Sequence, residues 1–107
     1  YLLQVRPLIY QYALQYTEKN RDDLNQYTDP LELEKYLDKK NLFEQFVSFA
    51  AENSIKPDPH GIKISREFIY IQLKGYIARN IMDNKGAYPI WEKIDPTLLY
   101  AIRYLEK

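Results

Sequence analysis

Residues 64–82 read ISREFIYIQLKGYIARNIM, and their reading decides the fold. They lie inside the longest proline-free run of the chain and hold one glycine, Gly75. Ile69, Leu73, Ile77 and Ile81 recur every fourth residue, flanked by Phe68, Tyr70 and Tyr76. At about 3.6 residues per turn such a row drifts slowly around one helix face. Ile71, Gly75, Ala78 and Met82 form a second apolar or small row on another side. A helix that is apolar on more than one side is buried among other helices. The pattern predicts an all-α bundle of five to six helices around a central buried helix over residues 64–82.

Outward from that helix, punctuation residues mark the other elements. Pro57, Pro59 and Gly61 make residues 54–63 a loop, with Ser65 as a cap and Glu67 in the first turn. Residues 42–53 form a helix whose core set is Leu42, Phe43, Phe46, Val47, Phe49 and Ala50. Before it, Asp29 caps, Pro30 fits the first helical position, and Glu32 stands where a capping-box acid belongs. Leu31, Leu33, Tyr36 and Leu37 then give a short amphipathic helix that ends near Lys39 and Lys40. Near the N-terminus, Leu8, Ile9, Tyr12, Ala13 and Tyr16 form one stripe. Pro7 either opens that helix or kinks one already begun. In the polar stretch 19–26, Leu24 and then Tyr27 anchor a helix that continues or re-forms. On the C-terminal side, residues 83–86 end the central helix. Pro89 opens a short helix with Ile90, Trp91 and Ile94, and Asp95-Pro96 starts a last one over residues 98–105.

Composition narrows the function classes. The chain has 107 residues, enough for a single helical domain. Tyr1 in place of a methionine creates the expectation of a longer natural chain. Fifteen basic and fifteen acidic residues cancel, which argues against a nucleic-acid or anionic-membrane partner held by bulk charge. With no cysteine there is no disulfide, thiolate nucleophile or cysteine metal site. No apolar run approaches the roughly 20 residues of a membrane span. Eleven tyrosines are many for this length, and tyrosine suits both packed rims and binding surfaces.

Catalytic constellations are missing from the pattern. Ser48, Ser54 and Ser65 are followed three residues on by Ala51, Pro57 and Phe68, so no Ser-x-x-Lys pair exists. Ser54 lies close to Lys56, but a loop there gives no burial to activate it. His60, the single histidine, has only Asp58 nearby, and its prolines imply a solvated loop. Asp22 and Asp23 point about 100° apart on a helix and belong to a solvated face. The glycines are isolated, so there is no phosphate loop. We expect no catalytic, cofactor or metal residue in this chain.

Four residues stand out as contacts to a partner. Arg79 and Asn80 interrupt the apolar central helix; otherwise Arg79 snorkels to a nearby acid and Asn80 lies at the surface. Tyr88 and Trp91 form an aromatic anchor for another domain, or a lid on the core. Gly75 allows a second helix to approach closely. Tyr10, Tyr12 and Tyr16 are packing residues or an aromatic sugar-binding surface.

Three stretches resemble the C-terminal region of bacterial carboxy-terminal processing (tail-specific) serine peptidases of a Gram-negative branch. The first is Leu8-Ile9-Tyr10-Gln11-Tyr12-Ala13, running to Tyr16-Thr17-Glu18-Lys19-Asn20-Arg21. The second is residues 42–56, with Phe46, Phe49-Ala50 and Ile55-Lys56 in order. The third, of most weight, is residues 64–80, ending Gln72-Leu73-Lys74-Gly75-Tyr76-Ile77-Ala78-Arg79-Asn80. Tyr88-Pro89-Ile90 and the ending over residues 95–105 also fit. The resemblance implies a helical accessory domain that follows a PDZ domain and a Ser–Lys protease core in one chain. It further implies a place in the periplasm or cell envelope, protein substrates met only indirectly, and no family catalytic residue in this chain. The accessory domain would brace the core, mediate self-association or restrict substrate access. Two other readings compete: a free-standing module that holds a partner helix in an apolar groove, and a tyrosine-lined binder of small ligands or carbohydrate.

Overall fold

Six helices and no strand occur among residues 2–91, which the computed structural model describes, Leu2 and Asn84 by backbone alone. They are α1 (Leu2–Lys19), α2 (Arg21–Leu24), α3 (Pro30–Asp38), α4 (Leu42–Glu52), α5 (Pro59–Met82) and α6 (Asn84–Trp91). The expected Ile94, the second Asp-Pro start and the helix over residues 98–105 lie outside the described residues.

The all-α bundle predicted from the sequence is present, with α5 at its centre. Ile69, Leu73 and Ile77 on one row and Ile71, Gly75 and Ala78 on the other are all buried. Helix α1 packs along α5 through Val5, Ile9, Ala13 and Tyr16. Helix α6 folds back on α5, α3 packs against both, and α4 lies against α1 and α5. Leu24 of α2, Leu33 and Leu37 of α3, and Leu42, Phe43, Phe46 and Ala50 of α4 complete the core. Leu31, expected among the apolar anchors of α3, is exposed.

Capping chemistry explains the start of α3 and the end of α4. Asp29 stays extended, and its carboxylate accepts from the Leu31 amide at 3.1 Å while Pro30 occupies the first helical position. Helix α4 ends in a Schellman turn. There Ile55 N–H donates to the Ala50 carbonyl at 2.9 Å and Ser54 N–H to that of Ala51 at 3.1 Å. Ser54 therefore sits at φ 71°, a left-handed position that glycine fills more cheaply.

Four expectations are corrected. Helix α5 begins at Pro59, not near residue 64, because Asp58 is extended and Pro59 presets the first helical turn. Gly61 is carried inside the helix, and Ser65 is a buried residue of its second turn, not a cap. The stretch 83–86 is not a four-residue terminator: Asp83 alone breaks α5 and α6 starts at Asn84. Pro89 consequently lies within α6 and does not open it. Of the two readings of Pro7, the one that places it within a helix already begun agrees with the structure: it lies inside α1.

Candidate functional site

The corner between α5 and α6 forms because the backbone reverses at one residue. Asp83 has φ 58° and ψ −161°, a region normally left to glycine, at a cost of about 1–3 kcal/mol. Two glycines then let α6 lie on α5. A methyl group on Gly86 would stand 2.7 Å from Met82 Cβ and 2.9 Å from the Ala78 carbonyl oxygen. One on Gly75 would stand 1.8 Å from the Trp91 indole nitrogen, so the close approach expected at Gly75 is made by the indole of α6. Trp91 is half-buried, and its Nε1 is buried with no hydrogen-bond partner among the described residues.

All four residues singled out as partner contacts line one open concavity at this corner. Arg79, Asn80, Tyr88 and Trp91 surround it with Asp83, in a volume of about 740 Å³. Tyr88 is 56% exposed. A chain of edge-on rings borders it: Tyr10 to Tyr76 at 5.3 Å, Tyr76 to Trp91 at 5.4 Å, and Trp91 to Tyr88 at 6.2 Å. Such edge-to-face geometry is the favoured packing of aromatic pairs. The Arg79 guanidinium lies 5.9 Å from the Tyr76 ring centre and makes no ion pair among the described residues, contrary to the acid partner expected for it. Asn80 is not simply at the surface. It is half-buried and donates from Nδ2 to the Thr17 hydroxyl at 3.2 Å, and that hydroxyl donates to the Ala13 carbonyl at 2.8 Å. Asn80 thus ties α5 to α1 and offers only part of its edge to the concavity.

The other residues weighed from the sequence lie apart. His60 is exposed in the first turn of α5 rather than in a loop, and Asp22 and Asp23 are exposed on α2. No group of three His, Asp or Glu side chains able to hold a metal occurs among the described residues. No described helix is long and apolar enough to cross a membrane. Tyr10 joins the ring chain at the corner. Tyr12 packs on Phe46 and Phe49 at 5.7 and 5.1 Å, and Tyr16 is buried beside it.

Sequence reasoning missed the strongest polar cluster. Lys74 is buried inside α5, and its Nζ donates to Glu34 Oε2 at 2.8 Å and to Asp38 Oδ1 at 3.0 Å. The Tyr70 hydroxyl donates to the same Asp38 oxygen, and its ring lies 4.2 Å from the Lys74 ammonium. Burial and the adjacent Asp38 carboxylate hold the Tyr70 phenol well above its usual range. The signal was available: Lys74 follows Ile71 by three and precedes Ala78 by four, on a buried row, while Glu34 and Asp38 share a face of α3. With one ammonium shared between two carboxylates, the cluster is a pin between α3 and α5.

A family model matches residues 1–83. The chain belongs to DUF8443, a family of unknown function. The matched DUF8443 segment takes in α1 to α5, the Lys74 pin, Arg79, Asn80 and Asp83; Tyr88 and Trp91 follow it. No curated protein and no solved structure matches the chain.

Proposed function

We propose that this chain is the non-catalytic, C-terminal helical accessory domain of a carboxy-terminal processing serine endopeptidase of the cell envelope. In this reading the α5–α6 corner docks on the PDZ or protease core of the same polypeptide. One observation carries the docking surface: Arg79, Asn80, Tyr88 and Trp91 converge on a single open concavity bordered by four linked aromatic rings. Exposed aromatic residues with an arginine are the composition that interface centres favour. The strained Asp83 at the rim supports the choice, since backbone strain concentrates where it serves a function. The peptidase identity rests on the three resembling stretches. The domain contributes no nucleophile or base; its role is to brace the core, mediate self-association or restrict substrate access.

The test is the mass and location of the native protein, detected with an antibody against this chain. A species several-fold heavier than 12.9 kDa that cofractionates with the envelope and with peptidase activity is the expected result. A native species near 12.9 kDa would overturn the reading in favour of a free-standing interaction module.

A further inference from the structure

On another side of α1, Tyr12 and Tyr16 face a second cleft of about 390 Å³, closed across by Tyr36 of α3 and bounded by Lys19, Asp23 and Lys40. That volume lies within the range of small-molecule sites, roughly 300–1,000 Å³. The Tyr16, Lys19, Asp23 and Lys40 side chains in it form no hydrogen bond or ion pair among the described residues. Tyr16 is about nine-tenths buried, yet its hydroxyl has no hydrogen-bond partner among the described residues. The Tyr16 ring is buried while its hydroxyl is left available to the cleft that Tyr16 lines. Its phenol is pushed up to about 12, chiefly by burial and then by neighbouring Tyr36, Tyr12 and Asp23. Tyr12, by contrast, is committed: its hydroxyl donates to Gln45 Oε1 at 3.2 Å, and Gln45 donates to the Lys40 carbonyl at 3.0 Å. This fixes one wall and the turn that carries Lys40. The Lys40 ammonium is held 4.9 Å from the Tyr36 ring centre, and neither lysine nor Asp23 forms an ion pair among the described residues.

We propose that this cleft binds a small hydroxylated carboxylate of the sugar-acid class. The lysines are donors only, so the group opposite them must accept; two ammonium groups against one carboxylate select an anion. Phenol hydroxyls both donate and accept, which matches ligand hydroxyls that do the same. The carboxylate is held by Lys19 and Lys40, and the hydroxyls by Tyr16 and Tyr36, with Asp23 accepting at the rim. The site is independent of the docking corner and stands whether or not the peptidase reading does.

Isothermal titration of the full-length protein with galacturonate and glucuronate tests this, with galactose and acetate as controls. The expected result is saturable binding of at least one sugar acid, with both controls about tenfold weaker or more. Tyr16→Phe removes only the unpartnered hydroxyl. It should leave the helical signal and melting temperature intact and weaken binding about three- to tenfold, the size of one hydrogen bond. Lys19→Ala with Lys40→Ala should bring the sugar acid down to the level of galactose. Absence of heat with both sugar acids, equal binding of galactose or acetate, or unchanged binding in a folded Tyr16→Phe protein would each overturn the proposal.

Discussion

Lys74 and Arg79 stand five residues apart on α5 and meet opposite surroundings. Five residues turn a helix by about 500°, which leaves the two cations roughly 140° apart around its axis. Lys74 enters the α3 interface and is met by two carboxylates and a ring face. Arg79 emerges at the α5–α6 corner, where it has only the Tyr76 ring and no acid among the described residues. The first region is saturated: every strong polar group has its partner inside the fold. Among the described residues the second keeps a guanidinium without an acid, an indole N–H without an acceptor, exposed rings and a strained backbone residue. One side of the helix is committed to stability; the other is the side that the proposed docking uses.

The largest effect should come from breaking the saturated side. Lys74→Ala leaves Glu34 buried without its cation and is expected to cost about 3–5 kcal/mol in urea unfolding. Replacing the pair together, Lys74→Met with Glu34→Leu, should recover most of that loss, because a matched apolar pair removes both desolvation penalties. A double variant no better than Lys74→Ala would contradict the pin. Alkali reaches the same side by another route. The folded Tyr70 and Tyr16 phenols lie above the ordinary 10.0. The stability they contribute is full below pH 10 and falls as pH rises through 10 towards 12. The loss should be smaller than that of Lys74→Ala, and absorbance at alkaline pH should show these phenols ionising after the exposed ones.

At the corner the effects are smaller and differ in sign. Gly75→Ala should cost about 1–3 kcal/mol by overpacking against Trp91, with a fluorescence change from the single tryptophan as the indole is displaced. Asp83→Gly should instead stabilise by about 1 kcal/mol, since glycine tolerates that backbone region. A destabilised Asp83→Gly protein would remove the strain from the account. Arg79→Ala should change the melting behaviour by less than about 0.5 kcal/mol, as befits an exposed residue with no ion pair among the described residues.

The sequence made the bundle legible wherever local chemistry and periodicity agreed. The two rows of α5 needed only spacing, and Asp29-Pro30 needed only capping rules. The same rules went wrong at Pro57-Asp58-Pro59 because proline both breaks a helix and begins one, and here Pro59 begins α5. The α5–α6 reversal was misread because Gly86 looked like a turn residue, whereas its glycine serves helix contact and Asp83 makes the turn. Arg79, Asn80, Tyr88 and Trp91 were visible as residues out of place in an apolar context, but their convergence depends on that reversal. Lys74 was passed over because a lone lysine on a helix usually reaches water, and its acids lie 36 and 40 residues away in sequence.

The most direct measurement is site-specific photo-crosslinking in the native protein, with a benzophenone side chain at position 88 and, as control, at exposed position 35 of α3. The account predicts cross-links from position 88 to a PDZ or protease segment of the same polypeptide, mapped by peptide mass, and none from position 35. Equal yields from both positions, or no cross-link from position 88 in a folded protein, would contradict the corner as a docking face.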